Sequence, residues 1–419
     1  MAELTKTLNV WRGTAMMLNI VLGAGLLTLP GLAVAAAGGA ALTVWAACAL
    51  ASIPLLIVFG LLGKRLPNAG GLAHTLNSAF GPKAYGAATF LFLGAVVLGL
   101  PAIALTGGFY AAATLGGSPY LYAVLLVGLA AISNLASAKV TGRINEVIAS
   151  LLIFVIAGIA AVGLYGSGTA ESAPALPVEI PTLTVFSATF MMIFFAFTGW
   201  EVSANLSGEF RDAKRAFPLA MALSFLLAVL LYGALAITVQ MNPPTSGFEA
   251  PFVALFAQQF GPVGGIVISV VSVILIFANL SAAIWAVSRM VYSAASEGLI
   301  SPRLAQLHNG TPITAVLVTL AVLLCVIVSA ASGSFDLGTL LAAAGLNFLL
   351  LYAGSAAALL RVTDTGWHRA IAILSIFMVI GLMAARGANN LIYPAALIAL
   401  GAALAQFRAM RAQVQSEAS

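Results

Sequence analysis

The chain has 419 residues, 62% of them hydrophobic and only 7% charged, with a mean hydropathy of +1.10. A soluble domain carries about a quarter of its residues as charges, so this composition excludes an ordinary water-soluble enzyme or binding module and points to a chain solvated by lipid. The formal charge of +5 does not indicate nucleic acid as a partner, because Lys and Arg fall in short clusters between apolar runs rather than in a binding stripe.

A membrane-crossing helix takes roughly 20 apolar residues. Runs of that kind predict twelve spans, at about 13–37, 40–63, 83–114, 119–138, 144–165, 184–207, 218–240, 262–293, 312–331, 337–361, 369–386 and 389–407. The first run is too long for the apolar core of a secretory signal and is interrupted by glycines and Pro30, so it is expected to remain as a span. Between the seventh and eighth spans, Pro243 and Pro244 precede an expected short helix at 251–259. The pattern thus predicts one transmembrane domain over 1–408, with 409–419 as a short cytoplasmic tail.

Basic residues order these spans. Lys6 and Arg12 precede the first, while Lys64, Arg65 and Lys83 flank the connection into the third. Lys139 and Arg143 join the fourth and fifth; Arg211, Lys214 and Arg215 join the sixth and seventh. Arg289 and Arg303 follow the eighth, Arg361 and Arg369 bracket the turn into the eleventh, and Arg408 and Arg411 come last. Only Arg386 falls on the other side, where Glu171, Glu179, Glu249 and Asp336 also lie. The positive-inside rule then puts both termini in the cytoplasm.

Two spans contain breaks. Gly23-Ala24-Gly25 interrupts the first and Phe197-Thr198-Gly199 the sixth. Glycine weakens a helix where hydrocarbon most disfavours unpaired backbone, so such breaks are expected to line a cavity or meet a ligand. Five spans separate the two, and a repeat with an odd number of spans inserts its second copy upside down. The expectation is an all-α, LeuT-type 5+5 inverted repeat, with repeats at about 11–165 and 184–361 and two extra helices at about 369–407. The alternative reading is close helix packing through small residues.

Glu201 lies two positions after Gly199, inside a span, with no basic residue nearby in sequence. An acid at membrane depth is expensive unless it faces water, pairs or protonates, which suits a proton switch; a structural acid tied to the unwound backbone is the competing reading. N–H groups freed around Gly23-Ala24-Gly25 could hold a carboxylate, and carbonyls near Phe197-Thr198 an ammonium. No Lys or Arg falls at mid-membrane, so a neutral zwitterion is favoured. Phe195 and Trp200 flank the second break, and Asn279 and Asn347 are intramembrane amides that either touch substrate or serve packing. His74, His308 and His368 are too scattered for a metal site, Cys48 and Cys325 read as isolated apolar thiols, and neither a metal nor another cofactor is expected. The sequons at Asn205 and Asn309 fall on the cytoplasmic side of this topology.

Several segments resemble the amino acid–polyamine–organocation (APC) superfamily. Gly23-Ala24-Gly25-Leu26-Leu27-Thr28-Leu29-Pro30 is similar to its first-span segment, and Leu66-Pro67-Asn68-Ala69-Gly70-Gly71 to its Pro-x-x-Gly-Gly loop. Phe197-Thr198-Gly199-Trp200-Glu201 matches the Phe-x-Gly-x-Glu break. Glu209 to Pro218 resembles a family loop in which Asp212-Ala213 replaces Asn-Pro, and Ser296-Glu297-Gly298-Leu299-Ile300-Ser301-Pro302 resembles the acidic turn after the eighth span. Together these cover the first ten spans in order, and the Gly-Gly-Leu-Ala-His loop looks closest to bacterial exporters of methionine and branched-chain amino acids.

The resemblance implies substrate carboxylate at Gly23, Ala24 and Gly25, beside Val21, with the amine on carbonyls around Phe197, Thr198 and Gly199. It implies a gate at Phe195 and further contacts from Ala102, Ala283 and Gly345; Asn279 as a contact and Glu201 as the proton-coupling residue are expectations from the residues themselves. Some members carry a lysine in the fifth span where others use sodium. None lies between Ile144 and Tyr165, and Ser281 leaves a sodium site open. The expected protein is an inner-membrane transporter that exchanges small neutral apolar amino acids for protons, outward; a proton- or sodium-coupled importer, an exchanger and a transporter-like receptor are the alternatives. The sequence is silent on oligomeric state.

Overall fold

The computed structural model describes residues 8–65, 71–135, 154–163, 179–212, 214–308 and 310–417. Among these residues the only extended pairings are two isolated bridges, Leu8 with Phe210 and His308 with Thr311; all other regular structure is helical.

In chain order the helices are α1 (Val10–Val21), α2 (Leu29–Ala37), α3 (Ala41–Arg65), α4 (Gly71–Phe80), α5 (Pro82–Leu115) and α6 (Pro119–Leu135). Then come α7 (Phe154–Gly163), α8 (Leu183–Phe194), α9 (Trp200–Ser203), α10 (Ala216–Met241) and α11 (Pro251–Ser296). The chain continues through α12 (Ile313–Ala331), α13 (Leu337–Val362), α14 (Gly366–Arg386) and α15 (Ile392–Glu417).

Among the described residues nine helical runs are long and apolar enough to cross a membrane, with Pro119–Leu135 and Phe154–Gly163 as shorter apolar helices. One of the nine, Leu29–Arg65, contains a turn at Gly38 and so joins α2 to α3. Backbone at Gly261 also leaves the helical region (φ 71°, ψ −172°), which divides α11 into a short leading helix and a long one. Most of the run predicted at 144–165 lies outside the described residues, as do the Leu66–Gly70 part of the loop motif, Lys139, Arg143 and the sequon residue Asn309.

Helix α5 is the column around which the others gather: α6, α11, α13 and α15 all pack on it. Lipid tails supply no hydrophobic force between apolar helices, so close backbone approach must provide the packing energy. Glycines permit it. A Cβ on Gly86 would collide with the Gly401 carbonyl, and one on Gly401 would lie 3.0 Å from the Ala87 nitrogen. The Tyr393 hydroxyl then donates to the Gly94 carbonyl at 3.1 Å, fastening α15 to α5.

Two features differ from the sequence expectation. Helix α4 occupies what reads as a loop, because it is too short and too polar to register as a span; its Leu76 and Ala79 are buried while it packs on α5 and α13. Helix α15 continues through Glu417, past the predicted end at 407.

Gly401→Leu is expected to lower the midpoint of thermal unfolding in detergent, since overpacking of this kind costs about 1–3 kcal/mol. Gly381→Leu is the control, because open space surrounds that position. Fluorescence-detected size exclusion after heating measures both.

Candidate functional site

Helix α1 ends where its sequence ceases to favour helix. The cap residue Leu22 turns to ψ 83° and Gly23 is extended, before a 3₁₀ turn spans Ala24–Leu27. Pro30 then sits in the first turn of α2, where its missing N–H leaves no acceptor unpaired. In the other interrupted region α8 ends at Phe194, a 3₁₀ turn covers Phe195–Phe197, and Thr198 is extended. Gly199 has φ +106°, a conformation strained for any L side chain. A Cβ there would also stand 3.4 Å from the Ile20 carbonyl oxygen and the Val21 Cα, so the two interruptions abut.

Buried backbone groups freed by these breaks must find partners. The Tyr110 hydroxyl of α5 donates to the Leu27 carbonyl at 2.8 Å. On α10 the buried Tyr232 hydroxyl lies 3.2 Å from the Val21 carbonyl oxygen and 3.0 Å from that of Ala196, bridging both interruptions with one side chain. The Gly199 carbonyl accepts from the Val202 and Ser203 N–H groups, each at 3.1 Å, which starts α9. The Phe195 carbonyl takes the Thr198 hydroxyl at 2.8 Å.

Glu201 lies in the first turn of α9 and is buried. Its Oε2 accepts from the Gly199 N–H at 3.0 Å and from the Tyr352 hydroxyl of α13 at 2.5 Å. Among the described residues no basic side chain forms an ion pair with it. Tyr352 is itself fixed by edge contacts with Phe59 and Phe194, at 4.7 and 5.8 Å between ring centroids.

A cavity of about 290 Å³ opens between the interruptions, α5, α11 and α13. Val21, Gly23, Gly25, Phe195, Thr198 and Gly199 border it, as do Asn279, Ala283 and Glu201. Ala24 belongs to the adjoining 3₁₀ turn. Two of the predicted contact residues stand elsewhere, and a third, Phe197, keeps its backbone in the second interruption while its side chain lies outside the cavity lining. Phe197 is packed against Trp45 and Tyr232, with centroids 6.0 and 5.3 Å away. Ala102 is fully buried within α5, and its carbonyl takes the Thr106 hydroxyl at 3.0 Å. Gly345 faces the α8 backbone, where a Cβ would collide with the Met191 carbonyl, so it acts as a spacer for α13.

Trp200 packs on Phe225, and Asn347 is fully buried; neither borders the cavity. The Ser281 hydroxyl pairs with Ser133 at 2.7 Å and its carbonyl accepts from Asn134 at 2.9 Å, both on α6.

Sequence reasoning missed the apolar wall. Phe92, Val96, Gly99 and Ile103 line one helical stripe of α5, and Ala286, Val287 and Met290 continue the α11 stripe through Asn279 and Ala283. The three- and four-residue spacing was a usable signal once Asn279 and Ala283 were singled out. Phe195 lies across the top of this wall, within 3.6 Å of where a Gly25 Cβ would be and 6.3 Å from the Phe348 ring centre.

A helical bundle with apolar, membrane-length spans and a central cavity at two abutting helix interruptions has the construction of a membrane transporter. The chain matches the amino acid permease family over residues 8–405 and belongs to it, within the APC superfamily. It is 29% identical over 409 residues to an uncharacterized amino acid permease, YecA, of Bacillus subtilis, covering 95% of both chains. It is also 29% identical over 307 residues to the L-methionine/branched-chain amino acid exporter YjeH of Escherichia coli, covering 71% of this chain and 72% of that one. The putrescine transporter PotE of Haemophilus influenzae is 23% identical over 307 residues, or 71% of this chain and 70% of its own. This protein is therefore a multi-pass membrane transporter of the amino-acid class and not an enzyme.

Tyr232→Phe would remove the hydroxyl shared by the Ala196 and Val21 carbonyls, of which Val21's keeps the Gly23 N–H at 2.8 Å. A loss of about 1–3 kcal/mol is expected, measured as a lower unfolding midpoint, with weaker substrate binding because the interruptions lose their shared clamp.

Proposed function

We propose that the protein exports small neutral apolar L-amino acids, methionine, leucine, isoleucine and valine, in exchange for protons across the bacterial inner membrane. The observation that carries this reading is the cavity itself: apolar side chains form its wall, peptide groups of two interruptions form its polar end, and one carboxyl group, Glu201, borders it. The first N–H groups of the 3₁₀ turn at Ala24–Leu27 lack intrahelical acceptors and receive the substrate carboxylate. Of the second interruption's carbonyls, those of Phe195, Ala196 and Gly199 are already engaged, so Phe197 and Thr198 take the ammonium. The side chain then projects between Ile103 and Ala283.

In this reading the chain has twelve spans in a LeuT-type 5+5 inverted repeat, with α14 and α15 as the additional pair. The face that carries Leu8, α4 and the end of α11 is cytoplasmic, as are both termini. This matches the gathering there of Lys64, Arg65, Lys83, Arg211, Lys214 and Arg215. Glu201 supplies coupling: it sits on the cavity wall, and its oxygen is held by groups from α9 and α13, elements that tilt relative to each other during alternating access. Protonation of Glu201 loosens the contact with the Gly199 N–H and so biases the α9 half-helix. The named specificity of the YjeH relative supports methionine and branched substrates and the outward direction.

A diamine such as the putrescine named for PotE fits less well. A dication needs compensation at both ends, whereas the cavity offers one carboxyl that is already bonded to Tyr352.

Counterflow in proteoliposomes tests the reading. Labelled methionine and leucine are expected to exchange at least about tenfold faster than arginine or putrescine, because a buried cation without a partner is strongly disfavoured. Gly25→Leu should abolish binding by pressing on Phe195, and Glu201→Gln should retain counterflow while losing its dependence on pH. Faster exchange of arginine or putrescine than of methionine would contradict the proposed substrate class.

A further inference from the structure

We propose that His74 is a second proton-carrying residue of this transporter, relaying protons between the cytoplasm and Glu201 through an inner cavity that both side chains border. The inference rests on the reading of Glu201 as the coupling acid and extends it to the route by which the proton arrives.

The route is a series of three spaces. Beyond the central cavity lies a second of about 240 Å³, room for several water molecules. Glu201, Val202, Phe92 and Met290 border both spaces, so the Glu201 carboxyl stands on their partition. At its other end the inner cavity is walled by the first turn of α4, including His74, together with Tyr85, Thr89 and Ser293. A third recess, of about 300 Å³, begins on the far side of the same imidazole and is lined by His74, Tyr85, Glu297 and Arg408. His74 and Tyr85 are the two residues common to the inner cavity and this outer recess. Of the pair, the imidazole is the group with two ring nitrogens, one able to take a proton while the other gives one up.

Neighbouring groups hold the ring at this junction. Its Nε2 lies 3.9 Å from Oε1 of Glu297, which caps the end of α11, and the imidazole and the Tyr85 ring of α5 meet in a T-shaped contact with centroids 5.2 Å apart. Arg408 of α15 stands 3.8 Å from the other Glu297 oxygen, and the Ser293 hydroxyl donates to Oε1 at 3.3 Å. On the α13 side of α4, Arg361 lies over the Phe80 ring at the helix end, and toward α9 the facing acid is Glu201 across the cavity. These are the charged and titratable groups that the contacts and cavity linings bring to His74 among the described residues. Glu297 is a positioning residue: shared between Arg408 and His74, it orients the imidazole. A histidine on an amphipathic helix at the membrane surface commonly just snorkels, but such a residue has no reason to border a cavity containing an intramembrane acid.

The transfer balances with N–H and O–H bonds alone. An imidazolium N–H breaks as its proton passes to cavity water, a water O–H breaks as the next proton reaches the Glu201 carboxylate, and a carboxylic O–H forms. The neutral imidazole then takes a proton from the outer recess. Reversal of the same steps discharges Glu201.

Proteoliposomes containing the full chain test this with two assays on each variant: methionine flux driven by a proton gradient over a pH series, and methionine counterflow without a gradient. His74→Gln is expected to slow driven flux by about tenfold and flatten its pH profile, with counterflow at the wild-type rate; bulk water keeps the loss below that for removal of a general acid. Added imidazole should restore driven flux to His74→Ala. A wild-type pH profile in His74→Gln, or an equal loss of both fluxes, overturns the relay. Glu201→Gln separates the two levels. If it flattens the profile while His74→Gln does not, only the relay fails; if Glu201→Gln itself keeps the wild-type profile, the coupling assignment on which the relay rests fails too.

Discussion

A peptide group inside a membrane has no water to pair with, so each interruption of a spanning helix must be completed by the protein or by a ligand. That constraint organises the centre of this molecule. Between Val21 and Leu29, and again between Phe194 and Trp200, the chain leaves α-helical geometry. Tyrosines on uninterrupted helices answer part of the resulting demand: Tyr110 on α5 reaches Leu27, and Tyr232 on α10 reaches both Val21 and Ala196. What they leave unanswered, donors near Ala24 and Gly25 and acceptors near Phe197 and Thr198, matches the two ends of a zwitterion. The proposed site is thus the remainder of a hydrogen-bond account that the fold almost closes by itself.

Glu201 belongs to the same account. Its carboxyl caps α9 through the Gly199 N–H and is gripped from α13 by Tyr352. The structural and the proton-switch readings of this acid therefore describe one arrangement. A carboxylate that completes a helix start also releases that start when it gains a proton. Glu201 borders two cavities, and under the proposed coupling the second gives the proton access from the side away from the substrate.

Residues whose type is anomalous for their surroundings were legible in the sequence. Glycine pairs in an apolar run, and an acid two positions after one of them, stand out at membrane depth on energetic grounds alone, and most of the apolar runs recur as helices within a few residues of their predicted ends, while the last continues to Glu417 and the run at 144–165 lies mostly outside the described residues. Residues of ordinary type that matter through convergence were not legible. Tyr232 and Tyr352 are separated by more than a hundred positions from the carbonyl or carboxyl they meet, or lie on other helices, and nothing local marks them. Phe92 and Met290 become cavity residues only when α5 and α11 are side by side. The reverse also holds: Gly345 occupies a position that sequence resemblance associates with substrate, yet here it lets α13 approach α8. Helix α4 has too few residues to read as a span, and it buries only Leu76 and Ala79.

The central claim is that one amino acid completes both interruptions at once. Anomalous diffraction from crystals grown with free L-selenomethionine and unlabelled protein tests it most directly. The account predicts a single selenium peak between Ile103 and Ala283, with ligand density extending to the Ala24 and Gly25 N–H groups and to the Phe197 and Thr198 carbonyls. A selenium peak outside that cavity, or ligand density touching neither interruption, would contradict it.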